Sequence, residues 1–267
     1  MNSISAHTAA GQMAGYLFQP ERALFHLATS PAGAVVGIET LDDVVVLLPD
    51  GTAIHEQDKH SVSKSSPLHE NQVGLWKTLN IWLSAIASEE IDIAVTELHL
   101  VTNKAVSRGF AHELLIRGRD AADLAILVAL LRKAARQVPK TVREIAATVS
   151  SRSNAELTTM LEKVRVIDKG QGASGDELKK RLAAALPLPV NHEIEIIQAL
   201  LGWIHDTTID LIRQGQPAWL TREAFVERYL TLVSAFHDRR FLSETAEALI
   251  PVSSEHRSAH QHRLFVK

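Results

Sequence analysis

The chain has 267 residues, a formal net charge of −3, 46% hydrophobic and 22% charged residues, and no cysteine. Absence of cysteine excludes a disulfide framework, thiolate-held zinc and a cysteine nucleophile, and the charge balance means that nucleic-acid binding would need a local basic patch or a bound cation. No apolar run reaches the length of a bilayer span, and the first residues lack the basic start and apolar core of a signal peptide, so a cytoplasmic setting away from membranes is expected.

Residues 15–29, GYLFQPERALFHLAT, place Leu17, Phe18, Leu24, Phe25 and Leu27 at helical spacing. AVVGIE (34–39) reads as a short strand. DVVVLL (43–48) is apolar without alternation, as in a strand covered on both faces. Asp50-Gly51 is a strong hairpin signal, and AIHEQDKH (53–60) is the returning strand. QVGLWKTLNIWLSAIAS (72–88) predicts a helix with Leu75, Leu79, Trp82 and Ile86 on one side. IDIAVTELHLVTNK (91–104) follows as a strand, then a helix over 120–137 and a late strand, VRVID (164–168). From about residue 176 the pattern is nearly all helical, with Thr221 placed to cap the last helix.

The polar ends of the hairpin carry the chemistry. Paired outward from a two-residue Asp50-Gly51 turn, Asp43 falls opposite Asp58 and Asp42 opposite Lys59, with Gln57 beside them. A bulge or a longer turn would bring Asp43 to the lysine's face instead. Either way an acid from one strand meets a lysine from the next, and Glu39 lies just upstream. This arrangement suits metal-assisted phosphodiester hydrolysis. Carboxylates hold a hard cation such as Mg²⁺, which activates water and offsets phosphate charge, while a lysine stabilises the developing negative charge.

The pattern of acid, hairpin, then acid-or-Gln–x–Lys resembles the PD-(D/E)xK nuclease superfamily. More narrowly it is similar to the double-stranded-DNA endonuclease effector domain of bacterial anti-phage systems of the CBASS, Lamassu and NLR-like (STAND) types. GYLFQ, IETLDD, EQDK, LWKTLNIWL and LVTNK, in that order over about residues 15–110, carry the resemblance. It implies an α/β fold with a restriction-endonuclease-like core (helix, three-stranded antiparallel meander, helix, strand) over residues 1–170. A mostly α-helical assembly or partner region over 171–250 and a polar tail over 251–267 would follow. Carried over by residue, it makes Asp43 the principal metal ligand, Lys59 the catalytic lysine and Gln57 the stand-in for the usual acid. Glu39 becomes a further ligand or water-orienting group, Gln19 an accessory from the first helix, and the backbone carbonyl of Asp58 a further metal contact. Lys77 and His60 are the candidates for touching the phosphate. The implied cofactor is Mg²⁺ or Mn²⁺. The implied partners are double-stranded DNA and either further copies of the chain or a sensor or ATPase of a defence system. The rival expectation, kept alive by the neutral Gln57, is a core that has lost catalysis and serves as an interaction module.

Other features have plainer readings beside the functional ones. The hairpin acids and Lys59 could be surface ion pairs, which are worth little. Trp76 and Trp82 at helical spacing fit a core. GQGASG (170–175) matches G-x-G-x-x-G, but another helix follows where a dinucleotide fold needs a strand. The basic run over 132–143 fits a solvated helix face better than a DNA groove, and His256, His260 and His262 fit incidental metal affinity in a tail.

Overall fold

The computed structural model describes residues 9–61 and 66–249, with side chains from residue 15 to 236 within those limits. The tail over 251–267, with its three histidines, lies outside them. Helix α1 (Ala9–Thr29) is followed by strands β1 (Val35–Ile38), β2 (Val44–Leu47) and β3 (Ala53–Lys59). Helix α2 (Val73–Ala87) leads to β4 (Thr96–Thr102), and α3 (Phe110–Ile116), α4 (Ala121–Gln137), α5 (Lys140–Ser150) and α6 (Asn154–Lys163) lead to β5 (Val164–Ile167). The chain continues through α7 (Gly175–Ala185), α8 (Glu193–Arg213), β6 (Ala218–Thr221) and α9 (Arg222–Leu249).

The described strands form one mixed sheet of six, in the order β5-β4-β3-β2-β1-β6. Strands β1, β2 and β3 form an antiparallel meander, whereas β3, β4 and β5 run parallel, joined by helical crossovers. The stretch from residue 171 on, expected to be mostly helical, also supplies an edge strand. AWLT pairs antiparallel with β1, and at four residues it is too short to show a period of its own. Thr221 then caps α9 as expected, its Oγ1 accepting from the Ala224 N–H at 3.2 Å.

Each face of the sheet is covered by helices. One core gathers Leu98 and Leu100 of β4 with Leu75, Trp76, Leu79 and Trp82 of α2, and extends to α3–α6. The other gathers Val36, Ile38, Val44 and Val46 with α1, α7, α8 and α9, so the two ends of the sequence share one hydrophobic layer. Burial on both sides explains why β2 reads as an apolar run. Full burial of Trp76 and Trp82 settles their role as core residues, with the Trp76 indole donating to the Glu70 carbonyl at 2.7 Å. Along α1, Phe18, Leu24 and Leu27 are buried, but Leu17 is not, so the expected apolar face is narrower than its spacing suggested.

The hairpin turn differs from expectation in a way that matters for the site. It has three residues, Pro49-Asp50-Gly51, closed by a Leu48 N–H to Thr52 carbonyl bond of 2.9 Å. Gly51 is left-handed at φ 86°, and the Asp50 carboxylate accepts from both the backbone N–H and the hydroxyl of Thr52. A two-residue hairpin turn needs positive φ at its first central residue, and in type I′ at both, but here Asp50 does not take it and only Gly51 does. Val44 consequently pairs with Glu56 and Leu47 with Ala53, one residue away from the register of a two-residue turn. The expected pairing of Asp43 with Asp58 and Asp42 with Lys59 is corrected accordingly.

Candidate active site

At the carboxyl end of β3 lies a cavity of about 370 Å³, lined by Tyr16 and Gln19 of α1, Glu39, Asp43, Asp58 and Lys59. The β1–β2 connection carries Glu39 and Asp43 to its wall. The Glu39 N–H donates to the Asp43 carbonyl at 3.1 Å, and Glu39 sits in the left-handed region at φ 51°. Such a conformation is costly for a residue with a side chain and clusters at functional positions. Gln19 holds the Glu39 carboxylate through a 2.6 Å bond from Nε2.

Asp43 Oδ2 accepts from the Asp58 backbone N–H at 2.7 Å, which ties the start of β2 to the end of β3. Burial raises the Asp43 pKa, while Lys59 and the Asp58 N–H pull it back. Asp42 has different partners: its Oδ2 lies 3.0 Å from His55 Nδ1 and accepts from the Trp82 indole at 3.2 Å. Asp43 thus lines the cavity, whereas Asp42 faces α2.

Asp58 is the most unusual group. Both of its carboxylate oxygens are buried without a donor. Burial, followed by the adjacent Glu56 carboxylate, pushes its pKa well up, and only the protonated form could donate to Glu56. Lys59 is half-buried. Burial lowers its pKa, with Asp43 and Asp58 opposing, and its Nζ donates to Gln57 Oε1 at 2.8 Å. That amide oxygen also accepts from the Thr78 hydroxyl at 3.1 Å, so α2 fixes the group that fixes the lysine.

Beneath the cavity, Glu56 is fully buried and bound by Arg22 through two bonds of 2.7 and 2.8 Å, with His26 Nε2 at 2.9 Å. Burial alone would raise the Glu56 pKa, yet Arg22 and His26 hold it well below the usual carboxylate range. These partners account for a charged side chain buried in the middle of β3. Arg22, His26, Thr78 and Tyr16 were not foreseen as parts of the site. Tyr16, Gln19, Arg22 and His26 recur at three- and four-residue spacing along α1, a polar stripe within a helix read for its apolar one.

Lys77 and His60, expected near the phosphate, do not line the cavity. Lys77 is exposed on α2. His60 packs against Phe18 with ring centroids 5.6 Å apart and planes tilted by 53°, and its pKa is lowered, first by burial and then by Lys104.

Asp43, Asp58 and Glu39 line one wall of the cavity. Among the described residues, no three His, Asp or Glu side chains are gathered closely enough to hold a metal ion by themselves. Mg²⁺ suits such a wall, because it is commonly held by one or two carboxylates and keeps several waters. The donorless Asp58 carboxylate is the observation that fits a cation, since a cation beside it would favour the ionised form that burial and Glu56 disfavour. The described residues include no helix long and apolar enough to cross a membrane.

No family model matches this chain, and no curated protein matches it. Among solved structures it is similar to the Acinetobacter baumannii Cap4 SAVED/CARF-domain containing receptor with the cyclic trinucleotide 2'3'3'-cAAA, at 11% identity and a TM-score of 0.49 over 90% of this chain and 48% of that one. It is also similar to the Moraxella osloensis Cap4 SAVED/CARF-domain containing receptor, at 15% identity and a TM-score of 0.43 over 81% of this chain and 47% of that one. The chain spans about half the length of each receptor.

Proposed function

We propose that the chain is a divalent-cation-dependent nuclease that hydrolyses phosphodiester bonds of double-stranded DNA. The single observation that carries this reading is the meeting of Asp43, Asp58 and Lys59 in one cavity, with both Asp58 oxygens buried and lacking a donor. Asp43 and Asp58, with Glu39, would hold Mg²⁺ or Mn²⁺, which supplies acidity to a water and charge to offset the scissile phosphate. Lys59, aimed by Gln57 and Thr78, stabilises the negative charge that builds on the phosphate oxygens. Burial lowers its pKa from the ordinary lysine value, with Asp43 and Asp58 opposing. Gln19 keeps the Glu39 carboxylate turned to the cavity, and exposed Tyr16 offers a ring at the rim against sugar or base.

The motif resemblance adds the setting, the effector of an anti-phage system switched on by a sensor or by self-assembly. In that setting the chain is equally an N-terminal part of a longer sensor or a subunit beside an ATPase.

Cleavage of supercoiled and linear plasmid with Mg²⁺, with Mn²⁺ and with EDTA tests the reading, wild type against Lys59→Ala over a range of protein concentrations. Metal-dependent nicking or fragmentation that disappears in the variant is the expected result. Equal cleavage by both proteins would move the activity away from this cavity. If neither cuts and Mn²⁺ binds wild type and Asp43→Ala alike, the rival reading stands. That rival is a non-catalytic interaction module, favoured by Gln57 where the superfamily has an acid.

A further inference from the structure

A second cavity, of about 540 Å³, opens beside β5, and four arginines, Arg117, Arg119, Arg165 and Arg181, line it against one carboxylate, Glu97. Their neutralisation is incomplete. Arg117 is held by Glu113 at 2.6 Å and Asp123 at 3.4 Å. Arg165 approaches Glu97 only to 3.8 Å, and Glu97 also takes His99 at 3.1 Å. Arg119 spends its amino groups on the carbonyls of Leu114, Arg117, Gly118 and Val164, which satisfy hydrogen bonds but supply no countercharge. Its Nε is buried without a partner. Burial, then the charge of Arg165, lowers the Arg119 pKa, with Asp123 offsetting part of this. Among the described residues Arg181 has no carboxylate within ion-pair distance, and it lies 6.0 Å from the Phe25 ring centre.

Concentrated guanidinium charge suits phosphate, because the planar fork meets phosphate oxygens two at a time. The rest of the lining narrows the ligand further. Leu114, Leu115, Val166 and Ile167 give an apolar wall, while Glu97 and Gln171 give acceptors. A ligand with phosphate at one end and a flat, partly apolar group bearing N–H donors at the other matches both walls. The volume falls within the usual range for small-molecule sites. Gln171 comes from the GQGASG segment. There Gly172, left-handed at φ 75°, lies under the Arg181 guanidinium, and a Cβ would come within 2.7 Å of the Arg181 Nε. The glycine motif thus shapes this cavity without forming a dinucleotide fold.

We propose that the arginine cavity is a binding site for a small phosphate-bearing ligand of the nucleotide class, separate from the cavity of Asp43 and Lys59. Calorimetric titration of the full chain in EDTA with AMP, ATP, pyrophosphate and adenosine tests it, on wild type and on Arg165→Gln, Arg181→Gln and Lys59→Ala. Both arginines are at least partly exposed, and although Arg165 Nη1 donates to the carbonyls of Glu162 at 2.7 Å and Val164 at 3.2 Å, this is a smaller set than the four carbonyls held by Arg119. Unchanged thermal unfolding of the ligand-free variants verifies that they fold. The expected result is binding of AMP or ATP, weakened about tenfold or more in each arginine variant. Adenosine should bind at least about tenfold more weakly than AMP, and Lys59→Ala should bind like wild type. Undiminished binding in both arginine variants would overturn the proposal, as would an equal loss in Lys59→Ala. Failure of every phosphate compound to bind would overturn it too, including the case in which a DNA duplex binds there, since the surface would then be a polyanion path and not a nucleotide site.

Discussion

Replacing Asp58 by Asn should stabilise the metal-free protein, which runs against the usual effect of changing a buried residue. The carboxylate is buried with neither oxygen meeting a donor, and the neighbouring charges of Glu56 and Asp43 disfavour it, with Arg22 and Lys59 in its favour. An unsatisfied buried group costs about 1–3 kcal/mol, more when charged. Asn keeps the shape, loses the charge, and gives Glu56 a donor. At roughly 2–4 °C per kcal/mol for a chain of this size, the gain corresponds to about 2–12 °C in Tm.

The pH dependence has a definite sign. The folded Asp58 pKa is raised above its unfolded value, so the folded state holds the extra proton between the two values. The group's contribution therefore falls as pH rises through that window. The advantage of Asp58→Asn should be near zero below the ordinary carboxylate pKa and should reach its full size above the raised one. Urea denaturation of both proteins in EDTA across that range measures it. Added Mn²⁺ should then stabilise wild type and not the variant. A wild type more stable than Asp58→Asn in EDTA at the high end of the range would refute the reasoning, by showing that Asp58 has a partner in the folded state.

Gln57→Glu should keep the bonds to Lys59 and Thr78 and add a carboxylate beside the cavity, strengthening Mn²⁺ binding about tenfold in a calorimetric titration. Unchanged affinity would place Gln57 too far from any cation to act on it. Arg22→Met should cost about 3–5 kcal/mol in urea unfolding by leaving Glu56 buried and unpaired. The double variant with Glu56→Gln should cost clearly less than the two single losses together, and additivity would show that the pair does not act as one unit. Thr221→Ala should cost about 0.5–2 kcal/mol by removing the cap of α9, with no effect on plasmid cleavage.

Much of the element order was legible because the terms behind it are local. Helical spacing marked α2 and α4, an unbroken apolar run marked β2, and Asp50-Gly51 marked the hairpin between β2 and β3. That an acid from one strand and Lys59 from the next would meet at the hairpin's polar end was legible too, since a tight turn brings the strand ends together, and Asp43 and Lys59 line one cavity without pairing directly. Which acid it is was not. One residue of turn length decides it, through the left-handed Gly51 and the Asp50–Thr52 bonds, and both turns suit the same letters. Groups joined across long separations escaped in the same way. Arg22 and Glu56 are 34 residues apart, β6 pairs with β1 from the far end of the chain, and the arginine cavity draws on residues from Glu97 to Arg181. Spacing along a chain records which face of an element is apolar. Which charged residues then meet depends on how elements stack, a balance of packing and desolvation summed over the whole fold. For this protein the sequence by itself determined the elements and the residue types at the hairpin's end. Only the tertiary structure decided that Asp43, Asp58 and Lys59 share a cavity above a buried Arg22–Glu56 pair.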